Sequence, residues 1–205
     1  MRPADDTHGE DGATWFSRAR EAAARAPLGH HTHWTAPDHA RPTGGETGTR
    51  VGKEGELLRQ DGLAPTLFCG GGWYTDLEVA EACAELGYVD CTPRTARPPY
   101  LSEGERWASL REPARIVLPS GRELRAIPTT HSLGDLARAV GGRALPPLVH
   151  VYFHDTDLLD RGRRLLLGVG LRVLARRARV LDLDILAAQV LPDAPRIAWD
   201  DVTRL

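Results

Sequence analysis

Residues 64–92 read A-P-T-L-F-C-G-G-G-W-Y-T-D-L-E-V-A-E-A-C-A-E-L-G-Y-V-D-C-T, and the fold class turns on them. Residues 64–68 form a short apolar run of the kind that makes a buried strand. The glycines that follow end it. Asp76 stands where a carboxylate can accept from the free N–H groups at a helix start. Residues 77–86 are rich in Ala, Glu and Leu, which favour a helix, and Gly87 provides the left-handed residue on which helices commonly close. Residues 88–92 are a second strand. A strand, a helix and a strand with short connections make a βαβ unit, whose strands are parallel.

The flanks extend this pattern. Upstream, residues 15–25 predict a helix ended by Pro27, and L-G-H-H-T-H-W at 28–34 predicts a strand running into a loop. Residues 36–50, with two prolines and three glycines, predict a long loop, and 51–60 a helix. Downstream, residues 114–119 and 123–128 alternate around P-S-G-R, a hairpin signal. Residues 133–140 predict a short helix. P-L-V-H-V-Y-F at 147–153 predicts a strand that delivers His154 and Asp155 at its end. Residues 161–177 predict an amphipathic helix and 180–190 a second helical segment. The expectation is a disordered lead over residues 1–13 and a single α/β domain over 14–205, either a barrel or an open sheet of parallel strands. In both architectures the site lies at the carboxyl ends of the strands.

Composition narrows the function classes. The 205 residues carry 26 basic and 28 acidic side chains, a net charge of -2. That balance gives no bulk attraction to nucleic acid or to an anionic membrane, so neither is expected as a partner. Arginines cluster at 161–164 and 176–179, where a solvated helix face is the plain reading. The three cysteines, Cys69, Cys83 and Cys91, form no C-x-x-C pair and sit among apolar or small neighbours, which predicts buried free thiols. No run of 18 apolar residues occurs, and the first residues lack an apolar signal core, so a cytoplasmic location is expected.

Three expected strand ends carry chemistry. His31 and His33 are two apart, which on a strand puts both imidazoles on one face. They could share a metal ion, with His39 folding back from the loop and His30 pointing the other way. Neutral imidazole is the commonest protein ligand for such ions, and catalytic zinc uses three protein ligands with one position open. His154, beside Asp155 and Asp157 after an apolar strand, has the setting of a general acid or base. C-G-G-G-W-Y lacks the Lys-Ser/Thr of a phosphate loop and the spacing of a dinucleotide loop, so a nucleotide is not expected there. Trp73 and Tyr74 could instead stack on a sugar ring.

These motifs, in this order, resemble the NodB-type polysaccharide deacetylases. G-H-H-T-H-W-T resembles the family's G-x-H-[ST] metal motif through Gly29, His31 and Thr32. The resemblance implies that His31 binds the metal. Thr35 stands where the second ligand is expected, so His33 or His39 would have to replace it. L-F-C-G-G-G-W-Y followed by E-L-G-Y-V-D resembles the next motif, with Cys69 in place of an arginine that orients the catalytic base. V-H-V-Y-F-H-D resembles the last motif and implies that His154 acts as the acid. The resemblance implies a distorted (β/α) barrel, a divalent metal, usually zinc, and hydrolysis of acetyl groups on a carbohydrate at a C–N bond. The family's opening T-F-D-D strand has no counterpart here. Asp5-Asp6 follows M-R-P-A instead of an apolar strand, so the expected barrel is incomplete at its N-terminus. The competing expectation is a non-catalytic or remnant domain that binds carbohydrate without turnover.

Overall fold

A computed structural model describes residues 3, 9, 11–34, 46–94 and 109–202. The first helix, α1 (Gly12–Ala23), begins where the Asp11 carboxylate accepts from the Ala13 N–H at 3.1 Å. It therefore starts three residues before the predicted position and takes in the end of the expected lead. After β1 (Gly29–His30) comes α2 (Thr47–Gln60), one turn longer at its start than the composition of 51–60 predicts.

The central unit forms as read. β2 (Leu67–Phe68), α3 (Leu77–Glu85) and β3 (Val89–Asp90) follow in order. Asp76 Oδ1 accepts from the Val79 N–H at 2.8 Å, and Gly87 closes the unit's helix with φ 71°. Between β2 and α3 the chain makes a 3-10 turn at Gly71–Trp73, with Gly72 and Trp73 both at positive φ. The hairpin is β4 (Ala114–Val117) and β5 (Glu123–Ala126), and α4 (Leu133–Gly141) follows under a Ser132–Asp135 capping box. A second 3-10 turn at Asp155–Leu158 leads into α5 (Arg161–Arg177) and α6 (Leu183–Val190). A last strand, β6 (Arg196–Ala198), and a last turn of helix, α7 (Trp199–Val202), complete the order. The sequence patterns did not announce these two.

The protein is mixed α/β, with a six-stranded, mostly parallel sheet among the described residues, ordered β1-β2-β3-β5-β4-β6. β1, β2, β3 and β5 are mutually parallel, and they succeed one another in chain order apart from the hairpin strand β4. β4 is antiparallel to β5 and parallel to β6. Beyond β5 the chain changes neighbours. The N–H groups of Thr130 and His131 both donate to the His150 carbonyl at 2.9 Å, and the Tyr152 N–H donates to His131 at 3.0 Å. The predicted strand at 147–153 forms only one parallel bridge, Val151 to His131, five residues past the end of β5.

Side chains alternate across the sheet, as a two-residue period requires. Phe68, Tyr88, Leu124 and Ala126 face the side covered by α2 and α3, packing with Val51, Val79 and Cys83. Leu67, Val89, Cys91 and Ile127 face the other side, where Ala187 of α6 and Leu191 at its C-cap cover them. α6 is tied to the amino end of β2 by the Thr66 hydroxyl, which donates to Asp184 at 2.6 Å. That leaves the carboxyl ends of the strands as the place where polar groups gather. Among the described residues no helix is long and apolar enough to cross a membrane.

Candidate functional site

The segment after β1 keeps strand periodicity. His30, Thr32 and Trp34 are buried, while His31 and His33 between them are half-buried. His31 and His33 lie side by side, ring centroids 5.0 Å apart and edge to face. The segment stays zipped to the loop after β2: Cys69 N–H donates to the His30 carbonyl at 2.9 Å and Gly71 N–H to Thr32 at 3.0 Å. Trp34 Nε1–H donates to the Gly71 carbonyl at 2.8 Å. Only glycine fits at 71, because a Cβ there would lie 2.3 Å from the Thr32 carbonyl oxygen.

A bracket on the opposite side of the sheet holds this segment at both ends. His30 is fully buried, edge-on to Phe68 and Tyr88. Its Nε2 lies 3.0 Å from Glu54 Oε2 and 3.1 Å from the Thr32 hydroxyl. A carboxylate only accepts, so Nε2 carries the proton it shares with Glu54. Burial alone would raise the Glu54 carboxyl, but hydrogen bonds from His30 and Arg50 outweigh it and hold the group below its ordinary range. Arg50 Nε donates to Glu54 at 3.0 Å, and its Nη1 donates to the Trp34 carbonyl. One side chain of α2 thus grips residue 30 and another residue 34, with His31 and His33 displayed between them.

His31 has a defined tautomer. Its Nδ1 lies 2.8 Å from the Cys69 carbonyl, which only accepts, so Nδ1 carries the hydrogen and Nε2 keeps its lone pair. Burial, with His33 adding to it, pushes the imidazole down to about 4, so it is neutral at physiological pH. That is the state a metal ligand needs. Cys69 itself is no nucleophile: burial, then the Asp90 charge, push its thiol up to about 12. All three cysteines are free, Cys83 and Cys91 buried as predicted and Cys69 half-buried.

The aromatic candidates separate. Tyr74 packs edge-on to buried Trp34, centroids 5.5 Å apart, and its hydroxyl donates to Asp76 at 3.1 Å. It supports the loop from behind. Trp73 holds φ 67°, a conformation that disfavours bulky side chains. Its ring reaches Tyr152, 5.5 Å away and edge to face, and Tyr152 lies 6.0 Å from the His154 ring. The loop after β2 therefore joins two of the predicted clusters. His154 is largely exposed, its side chain at 73%, with Nδ1 4.0 Å from Asp157 Oδ2. Its backbone N–H and the Arg163 guanidinium both donate to Asp157 and hold that carboxyl low, so Asp157 orders the turn before α5. Asp155 caps only its own turn, donating nothing and accepting from the Thr156 N–H at 2.8 Å.

The largest surprise is behind β3. Asp90 and Arg94 form a fully buried ion pair, with Nε to Oδ2 at 3.1 Å, and Asp90 also accepts from the Thr92 N–H at 3.0 Å. The Thr92 hydroxyl in turn accepts from the Gly70 N–H at 3.0 Å. Asp90 ends an apolar strand with an arginine four residues on. That spacing was readable, but nothing in it announces burial.

His39 lies outside the described residues, as do Thr35 and Asp5-Asp6. Among the described residues no three His, Cys, Asp or Glu side chains converge as a metal-binding group. His131 stands apart, its Nδ1 2.7 Å from the Thr130 hydroxyl, on a cleft of about 720 Å³ that it shares with Arg111, Leu148 and Val190. The described elements bring together two imidazoles, one with its ligand-side lone pair fixed, and an aromatic pair one loop away. No protein-family model, curated protein or solved structure matches the chain.

Proposed function

We propose that the chain is a metal-dependent hydrolase that removes acetyl groups from a carbohydrate by cleaving a C–N bond, in the manner of the NodB-type polysaccharide deacetylases. The observation that carries this reading is the His31–His33 pair at the carboxyl end of a parallel strand, with His31 Nδ1–H held by a backbone carbonyl. A hydrogen bond at the far nitrogen is the usual way a protein aims a metal-binding imidazole. His31 and His33 would hold a divalent ion such as zinc, with His39 as the further ligand the family pattern allows. Bound there, the ion would polarise the acyl carbonyl.

The other residues have roles that follow from their surroundings. Trp73 and Tyr152 offer an aromatic wall on which a sugar ring can lie. Tyr74 takes part by buttressing Trp34 and the loop. His154, exposed at the end of that wall, is the group to protonate the leaving amine. The sheet is read as an arc of a distorted (β/α) barrel. β1, β2, β3 and β5 follow chain order without the reversal that marks a doubly wound sheet, and past β5 the chain at His131 is bridged in parallel to Val151.

A second reading has its own support. Among the described residues the two imidazoles lack a third ligand, and Cys69 occupies the place of the expected arginine. On that reading the domain binds carbohydrate without turnover. Zinc content by mass spectrometry, for wild type and His31→Ala, tests the metal site: wild type should carry bound zinc and the variant should lose most of it, while equal zinc in both defeats the assignment. Acetate release from acetylated chitooligosaccharides with added zinc separates the two readings. Turnover that His154→Ala slows supports the hydrolase, and zinc binding without turnover favours the binding domain.

A further inference from the structure

The net charge of -2 conceals a strong asymmetry. Seven of the 26 basic residues, and none of the 28 acidic ones, fall within residues 161–179. They belong to α5 and the two residues after it. Leu167, Gly170 and Leu174 are the buried side of this helix, packed against Leu133 and Leu136 of α4. On the opposite side Arg161, Leu165, Val169, Arg172 and Arg176 recur at intervals of three and four residues, one stripe along the helix. Leu165 is 66% exposed and Val169 45%. Arg163 is engaged by Asp157, and Arg177 by the carbonyls of Val140, Gly142 and Arg143. Arg161, Arg172, Arg176 and Arg179 form no ion pair with a described residue.

We propose that this outward stripe of α5 is a docking surface for an anionic lipid bilayer. Two features must be satisfied together: exposed aliphatic side chains and, interleaved with them, guanidiniums that have no ion pair among the described residues. A bilayer with acidic headgroups offers both at one depth, hydrocarbon for Leu165 and Val169 and phosphate for the arginines, whose alkyl stems can lie along the boundary. A second copy of the chain does not fit, because a two-fold contact sets like charges against each other along the stripe. A nucleic acid would take the guanidiniums but leave the leucines against a phosphate backbone. The helix is too polar to span, so the contact is peripheral. This proposal is independent of the hydrolase reading.

The test is co-sedimentation of the full chain with vesicles of phosphatidylcholine alone and of phosphatidylcholine with a one-third share of phosphatidylglycerol, at low and high salt. Wild type should bind the anionic vesicles, bind the neutral ones weakly, and release as salt rises. Each arginine removed, in Arg172→Gln and Arg176→Gln, should weaken binding by about fivefold. Leu165→Ser should weaken it by about tenfold. Circular dichroism and thermal midpoints should stay at wild-type values, since these side chains face solvent. The proposal fails if the two vesicle types bind equally, if the variants bind as wild type does, or if an oligonucleotide is held more tightly than the anionic vesicles. It also fails if the chain self-associates through this face, with Leu165→Ser giving monomers, and no vesicles are bound.

Discussion

His31 gives up its capacity to hold a proton when it enters the fold, and this makes stability depend on pH. Its ordinary value of 6.5 falls to about 4 because burial disfavours the imidazolium. Above pH 6.5 the folded and unfolded chains both carry it neutral, and nothing is lost. As pH drops from 6.5 towards 4 the unfolded chain gains a proton that the folded chain refuses, so folding weakens, and below about 4 the loss levels off. The linkage amounts to about 2 kcal/mol between pH 7 and pH 5. Burial lowers His131 and His150 in the same direction. Urea unfolding at the two pH values, for wild type and His31→Asn, isolates the residue. The variant should lose about 2 kcal/mol less than wild type on acidification, and equal losses would contradict a half-buried, neutral His31.

At the scale of elements, the start of α3 is a junction as well as a cap. Asp76 Oδ1 caps the helix, while Oδ2 accepts from the Thr47 hydroxyl at 2.8 Å and the Tyr74 hydroxyl at 3.1 Å. One carboxylate thus ties α2, α3 and the aromatic loop. Losing an ordinary N-cap costs about 1 kcal/mol. Asp76→Ala also removes the charged acceptor that the Thr47 and Tyr74 hydroxyls share, although Thr47 keeps Glu78 Oε2 at 3.3 Å, so a loss of roughly 2–4 kcal/mol is expected. Chemical denaturation measures it, and a loss no larger than a simple cap would show that the junction adds nothing. Asp76→Asn, which keeps the cap acceptor, should fall between the two.

For the molecule as a whole, the Asp90–Arg94 pair marks where the sheet's centre meets the candidate site. Both side chains are fully buried, and Thr92 links them to the glycine loop through Gly70. Removing one partner leaves an uncompensated charge in the interior, which typically costs 3–5 kcal/mol. Arg94→Leu should therefore lose about that much global stability, and Asp90→Asn in the same chain should restore part of it. Thermal unfolding of the single and double variants reads this out. If the double variant is less stable than Arg94→Leu, the pair is not an isolated charge couple and Asp90 is held by other groups.

Elements whose causes are local were legible in the order of residues. The βαβ unit followed from two apolar runs, an Asp cap and a closing Gly, and the β4–β5 hairpin from alternation around a turn. α5 lies on the residues its pattern predicts because capping and helical periodicity act within a few residues. The same local rule, a two-residue period, put His31 and His33 on one side of their segment. Most of the remaining contacts join residues far apart along the chain. The grip of Glu54 on His30 spans 24 residues, and the contact of Arg115 with the chain before β6 spans 79. Trp73 meets Tyr152, Arg94 folds onto Asp90, and residues 150–152 align with Thr130 and His131, none of which a local pattern encodes. Such contacts form because packing brings buried polar groups to whichever partner can satisfy them, and that partner is set by where the sheet runs in space.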